Sequence, residues 1–138
     1  MQVEGKTVLV VGTGKSGIAA TELLVSKGID TILFDGNKDL DVDKLYAENP
    51  KLKGIPLVLG ELEKETLDKV SICVLSPGVP TDIPMVNEMR DQGIAIWGEI
   101  ELAYYFGKGR IIAITGTNGK TTTTALTGEI MKNYFDDV

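Results

Sequence analysis

Histidine is absent from this chain of 138 residues. That excludes a Ser-His-Asp triad, a histidine-ligated metal and an imidazole general base among these residues. Cysteine occurs once, so no internal disulfide can form. Its place in the apolar run Ile72-Cys73-Val74-Leu75 reads as a buried structural thiol. Basic residues are outnumbered, 14 Lys and Arg against 20 Asp and Glu, for a formal net charge of −6. Such a balance argues against nucleic acid as a partner, because a sequence-independent grip rests on Lys and Arg neutralising phosphates; single basic groups remain free to serve a small anion. No apolar run approaches the roughly 18 residues that cross a bilayer, so no membrane partner is expected. The amino end, Met1-Gln2-Val3-Glu4-Gly5-Lys6-Thr7, has neither a basic n-region nor a cleavable apolar stretch, which makes the cytoplasm the expected location.

What is present is the composition of a globular protein, 43% hydrophobic and 25% charged. The length suits one ordinary domain and is too short for two full ones. Thr7-Val8-Leu9-Val10-Val11 is a continuous apolar run, as in a strand covered on both faces of a parallel sheet. A glycine turn follows, then a helix from Ser16 that stops at Lys27-Gly28. Strands are predicted at Thr31–Phe34, Leu57–Leu59, Val70–Leu75 and Ile94–Trp97, with helices near 41–48 and over Asp82–Gln92 and a short acidic helix or turn over Glu61–Lys69. This alternation predicts an α/β fold: a doubly wound, mainly parallel, five-stranded Rossmann-like sheet over residues 1–97. Residues 98–138 read as the start of a second α/β domain. They comprise a short helix over Gly98–Phe106, a buried strand at Arg110–Ile114, a polar loop, and a helix over Thr121–Asn133 with Ala125, Leu126, Ile130 and Met131 on its apolar side.

Two loops carry the chemistry. Gly12-Thr13-Gly14-Lys15-Ser16-Gly17 is a G-x-G-x-x-G between a strand and a helix, a turn that lets backbone amides and the helix dipole meet a diphosphate. The pattern asks for an acidic residue about 20 positions on, at the end of the second strand, and Asp35 is there. The second loop, Thr115-Gly116-Thr117-Asn118-Gly119-Lys120-Thr121-Thr122, holds the Gly-Lys-Thr of a Walker A loop, in which lysine and amides grip phosphates and the hydroxyl ligates Mg²⁺. It departs from the general form: Ile114 stands where the first glycine falls, and Gly116 takes that role.

A Rossmann-like loop and a P-loop in such close succession are far more specific than either alone. Over essentially its whole length the chain resembles the Mur ligase family. The Gly12–Gly17 loop with Asp35, Leu75-Ser76-Pro77-Gly78-Val79 and Gly98-Glu99-Ile100-Glu101-Leu102 resemble its D-glutamate-adding branch; the alanine-adding branch also opens with a Rossmann-like domain. The resemblance implies a monomeric, ATP-dependent acid–amino-acid ligase acting on UDP-N-acetylmuramoyl-L-alanine, D-glutamate and ATP with Mg²⁺. By the same resemblance the substrate carboxylate is activated as an acyl phosphate that the D-glutamate amine attacks.

Residue by residue, the resemblance implies that Gly14, Lys15, Ser16 and Gly17 face the UDP diphosphate, that Asp35 contacts the uracil end, and that Ser76 touches substrate. Lys15 also reads as a solvent-facing lysine, and Ser76-Pro77-Gly78 as a simple turn. Gly116, Thr117, Asn118, Gly119, Lys120, Thr121 and Thr122 would form the ATP site, with Lys120 catalytic in polarising phosphates and Thr121 a Mg²⁺ ligand. Glu99 and Glu101 diverge at i, i+2, which speaks against a joint metal site; Glu99 reads as solvated or capping, or as reaching a neighbouring loop. Trp97, Tyr104, Tyr105 and Phe106 read as packing. Two rivals remain. A nicotinamide-dependent oxidoreductase or sensor explains the first loop and Asp35 but not the second loop. A free-standing P-loop switch needs more strands and a second acidic metal ligand. The 138 residues alone are expected to lack ligase turnover.

Overall fold

The computed structural model describes residues 2–136 and 138. They fall into two compact units, Met1–Gly107 and Lys108–Val138.

The first unit runs β1 (Thr7–Val11), α1 (Lys15–Ser26), β2 (Asp30–Asp35), α2 (Val42–Glu48), a 3₁₀ turn (Pro50–Leu52), β3 (Leu57–Leu59), α3 (Lys64–Leu67), β4 (Val70–Leu75), α4 (Pro84–Asp91), β5 (Ala95–Gly98) and α5 (Glu99–Phe106). The strands form one sheet in the order β3-β2-β1-β4-β5, every pair parallel. Because β1 leads outward to β2 and β3 on one side while β4 and β5 lie on the other, the strand order reverses between β1 and β4. In open parallel sheets the crevice outside the carboxyl ends at such a switch point is where ligands bind.

Period-2 alternation explains the unbroken apolar strands. Val8 and Val10 of β1, with Ile72 and Val74 of β4, enter the core shared with Ala20 and Leu24 of α1 and Leu102 of α5. Leu9 and Val11, with Cys73 and Leu75, point the other way, towards Val86 and Met89 of α4. Each such side chain taken out of water contributes about 1.5–3 kcal/mol, so both faces need apolar residues and none can be spared to solvent. The Cys73 thiol is fully buried, and burial alone pushes its pKa up to about 12, as suits a structural thiol. Local chemistry sets the ends: the Asp41 carboxylate accepts from the Lys44 amide at 2.9 Å and caps α2, while the Glu101 carboxylate accepts from the Gly98 amide at 2.9 Å and holds the start of α5.

The first unit extends to Gly107, past the expected boundary at 97, because α5 packs inward. Leu102 is 2% exposed, and the Tyr105 ring meets Trp97 at 5.5 Å and Phe106 at 5.0 Å. The Tyr105 hydroxyl accepts from the Val3 amide and donates to the Glu4 carboxylate, tying the amino end to this helix. Trp97, Tyr105 and Phe106 are thus packing groups, while Tyr104 is exposed.

In the second unit α6 (Lys120–Met131) forms as predicted, but the strand expected at Arg110–Ile114 does not. That segment has no regular secondary structure, with Ile111 62% and Ile112 57% exposed. A parallel strand needs a neighbour's N–H and C=O groups, and the described residues of this unit hold no second strand. For the same reason the apolar side of α6 stays open, with Leu126 and Ile130 exposed.

Candidate functional site

The carboxyl ends of β1, β2 and β4 place Gly12–Gly17, Asp35 and Ser76 at the switch point. At the end of β1 the Gly12 amide donates to Phe34 O at 2.8 Å, and the Ser76 amide donates to Val11 O at 3.1 Å. The chain then turns at Gly12, whose φ of +105° lies in the left-handed region that favours glycine. A Cβ on Gly12 would stand 2.8 Å from Ser76 Oγ. Gly17 is tighter still: a Cβ there would stand 1.9 Å from the Gly12 carbonyl oxygen and 2.8 Å from Ser76 Oγ. Two glycines of the motif are therefore demanded by contact between the turn, the first turn of α1 and the end of β4.

Gly14 is the N-cap of α1 and offers no side chain to the helix start. The first hydrogen bond returning to it comes from Ile18, at 3.0 Å. Helix geometry leaves the amides of Lys15, Ser16 and Gly17 without intrahelical partners, and the dipole adds positive potential there. Lys15 is exposed beside them and Ser16 is half-buried. The arrangement can receive a diphosphate on backbone donors.

Ser76 adds the one chemical demand. Its Oγ is buried and has no hydrogen-bond partner; an orphaned buried hydroxyl costs about 1–3 kcal/mol, so such groups mark places where a partner arrives. It also borders a groove of about 650 Å³ whose walls include Pro77, Thr81, Arg90 and Glu99. The Arg90 guanidinium is fixed there by donating to the Thr81 carbonyl at 2.7 Å and Asn87 Oδ1 at 2.9 Å. Glu99 and Glu101 both border this groove; Glu99 is half-buried, and Glu101 turns back to accept from the Gly98 amide at the start of α5.

Asp35 is bound more tightly than its motif role suggests. Its Oδ2 accepts from both the Thr13 amide (2.9 Å) and the Thr13 hydroxyl (2.6 Å), and its Oδ1 accepts from the Asn37 amide (2.9 Å). Burial works against ionisation, but these hydrogen bonds outweigh it and hold the carboxyl below its ordinary pKa. Sequence reasoning missed Thr13 and Asn37. The available signal was a hydroxyl residue at the middle of Gly-x-Gly followed 22 residues later by a strand-end aspartate.

In the second unit, taken by itself, Gly119 is the N-cap of α6 with φ +77°, and Gly116 has φ +153°. Lys120 Nζ donates to the Gly116 carbonyl at 2.6 Å, folding the ammonium over the loop of Thr117, Asn118 and Gly119. Thr121 and Thr122 stand in the first turn of the helix, both exposed. Among the described residues no cluster of three Asp, Glu, Cys or His side chains could hold a metal.

A glycine turn running into a helix at the switch point of a five-stranded parallel sheet, with an acidic second strand end, defines a Rossmann-like domain. Residues 6–98 match the family model described as Mur ligase MurD-like, N-terminal domain, and the chain belongs to that family. It is 52% identical over 97% of its length to UDP-N-acetylmuramoylalanine--D-glutamate ligase of Lachnospira eligens, and 52% identical over its full length to the enzyme of the same name from Lachnoclostridium phytofermentans. The chain spans about 30% of the length of these curated relatives. Among solved structures it is similar to a pseudomurein peptide ligase type C from Methanothermus fervidus, with TM-score 0.58 and 27% identity over 93% of this chain and 26% of that one. It is also similar to UDP-N-acetylmuramate-alanine ligase MurC from Thermotoga maritima, with TM-score 0.54 and 26% identity over 91% of this chain and 29% of that one.

Proposed function

We propose that this chain is the front part of an ATP-dependent ligase that adds D-glutamate to UDP-N-acetylmuramoyl-L-alanine in cell-wall precursor synthesis in the cytoplasm, and that its first unit holds the UDP moiety. The observation that carries the reading is the convergence of the open amides of α1 and the unpartnered Ser76 hydroxyl on one crevice. The diphosphate would lie on the amides of Lys15, Ser16 and Gly17, with Gly14 allowing close approach and Lys15 adding a point charge. Ser76 would donate to a substrate oxygen. Asp35 would face the uridine end with the lone pair left on Oδ1, since its Oδ2 already takes two donors. The curated relatives' names favour the D-glutamate-adding branch over the alanine-adding one.

The residues of the second loop suit ATP. Gly116 and Gly119 give the backbone its turns, the first amides of α6 face outward, and Lys120 lies over the loop, so Gly116–Thr122 would cradle the β- and γ-phosphates of ATP. Thr121 would hold Mg²⁺, which supplies charge neutralisation for a transferring phosphoryl group. Lys120 would stabilise the same developing charge, as positioning and electrostatics dominate phosphoryl transfer.

The test is an assay of the whole ligase to which this chain belongs. ATP hydrolysis should require both UDP-N-acetylmuramoyl-L-alanine and D-glutamate, and Lys120→Ala should abolish it. Turnover with UDP-N-acetylmuramate and L-alanine instead would assign the protein to the other branch.

A further inference from the structure

The Gly12-Thr13-Gly14 turn poses a problem of order. Two glycines around one residue give the backbone wide freedom, and glycine loses more of it on folding than any other residue. Yet the amides of α1 can receive a diphosphate only if the turn stays clear of the crevice. Three bonds fix it to the end of β2: Gly12 amide to Phe34 O at 2.8 Å, Thr13 amide to Asp35 Oδ2 at 2.9 Å and Thr13 Oγ1 to Asp35 Oδ2 at 2.6 Å. Thr13 supplies two of the three, both to one oxygen.

We propose that Thr13 is a positioning residue of the nucleotide site: through Asp35 it locks the glycine turn in the shape that leaves the first amides of α1 open to a diphosphate. The proposal rests on the reading of the first unit as a UDP site. A carboxylate beside an anion site needs its own charge engaged, and the Thr13 and Asn37 donors do that, leaving Asp35 a structural anchor rather than a repulsive neighbour. No neighbouring charge is among the groups that set its acidity. The charged pair carried by the adjoining loops, Lys38 and Glu61, is closed on itself at 2.9 Å, and Gly60 of the β3 end meets Asp35 only through its amide, which donates to the Asp35 carbonyl at 2.7 Å.

The experiment compares the native chain with Thr13→Val, which keeps the branched shape and the amide but removes the hydroxyl, and with Thr13→Ser, which restores the hydroxyl. The readouts are UDP affinity by calorimetry, the titration midpoint of the Asp35 carboxyl by NMR, and hydrogen exchange at the Gly14 amide without ligand. The valine variant should bind UDP about tenfold more weakly, the scale of one hydrogen bond to a charged group. It should also raise the Asp35 midpoint and speed exchange at Gly14; serine should restore all three. Native-like UDP binding by the valine variant, or a serine variant as weak as valine, overturns the proposal. A native chain that binds no UDP sinks the functional reading instead, and the lock is then decided by exchange in the free protein, where an unchanged Gly14 rate for Thr13→Val overturns it.

Discussion

The hydroxyl of Ser76 stands 2.8 Å from the point that a Cβ on Gly17 would occupy, so the end of β4 and the first turn of α1 touch across the switch point with room for hydrogen and nothing larger. The contact joins two residues 59 positions apart in the chain into a single wall of the crevice.

Gly17→Ala therefore meets backbone as well as side chain. Its methyl would lie 1.9 Å from the Gly12 carbonyl oxygen, and neither the turn nor the helix can give without moving the other. The variant should lose about 2 kcal/mol or more in urea denaturation, in the range of overpacked cores, and should lose UDP binding with it. Native stability in Gly17→Ala would show that the close approach is not required.

Ser76→Ala separates binding from folding. Removing a buried hydroxyl that has no partner relieves a desolvation penalty, so the free protein should be as stable as native or up to about 1 kcal/mol more so. Affinity for UDP-N-acetylmuramoyl-L-alanine should fall by about tenfold, the loss of one good hydrogen bond. A parallel fall in stability and affinity would mark the serine as part of a turn only.

Cys73 gives a pH prediction with a definite sign. Burial raises its pKa from 9.0 to about 12, so between those values the unfolded chain releases a proton that the native chain keeps. Stability contributed by the neutral thiol is fully present below pH 9.0 and declines as pH rises from 9.0 towards about 12. Cys73→Ser should not show that component in denaturation curves across this window, and native Cys73 should stay unreactive to thiol reagents at pH 8.

Much of the fold could be read from the residues because burial on both sheet faces leaves a plain mark. Val8 to Val11 and Ile72 to Leu75 have no polar position at all, and that is what two core layers demand. The glycine turn was equally legible, since only a residue free of Cβ fits at Gly12 and Gly17. Thr13 was not, because the pattern treats it as a spacer and its partner is 22 residues away in the chain. Arg110–Ile114 misled for a different reason. An apolar run records fitness for burial, whereas a strand is a property of the pair, and the neighbour is not encoded in the run. The start of α5 shows the same limit in small: Glu99 and Glu101 were visible as a diverging pair, but which of them would cap Gly98 depended on where β5 ended.

The most direct test of the central claim, that the first unit is a uridine diphosphate site, is calorimetric titration of this chain with UDP, UDP-N-acetylmuramoyl-L-alanine and NADH under identical conditions. The account predicts binding of both uridine nucleotides, the muramoyl nucleotide the tighter through Ser76, and no measurable heat from NADH. Tight binding of NADH with no response to either uridine nucleotide would contradict it.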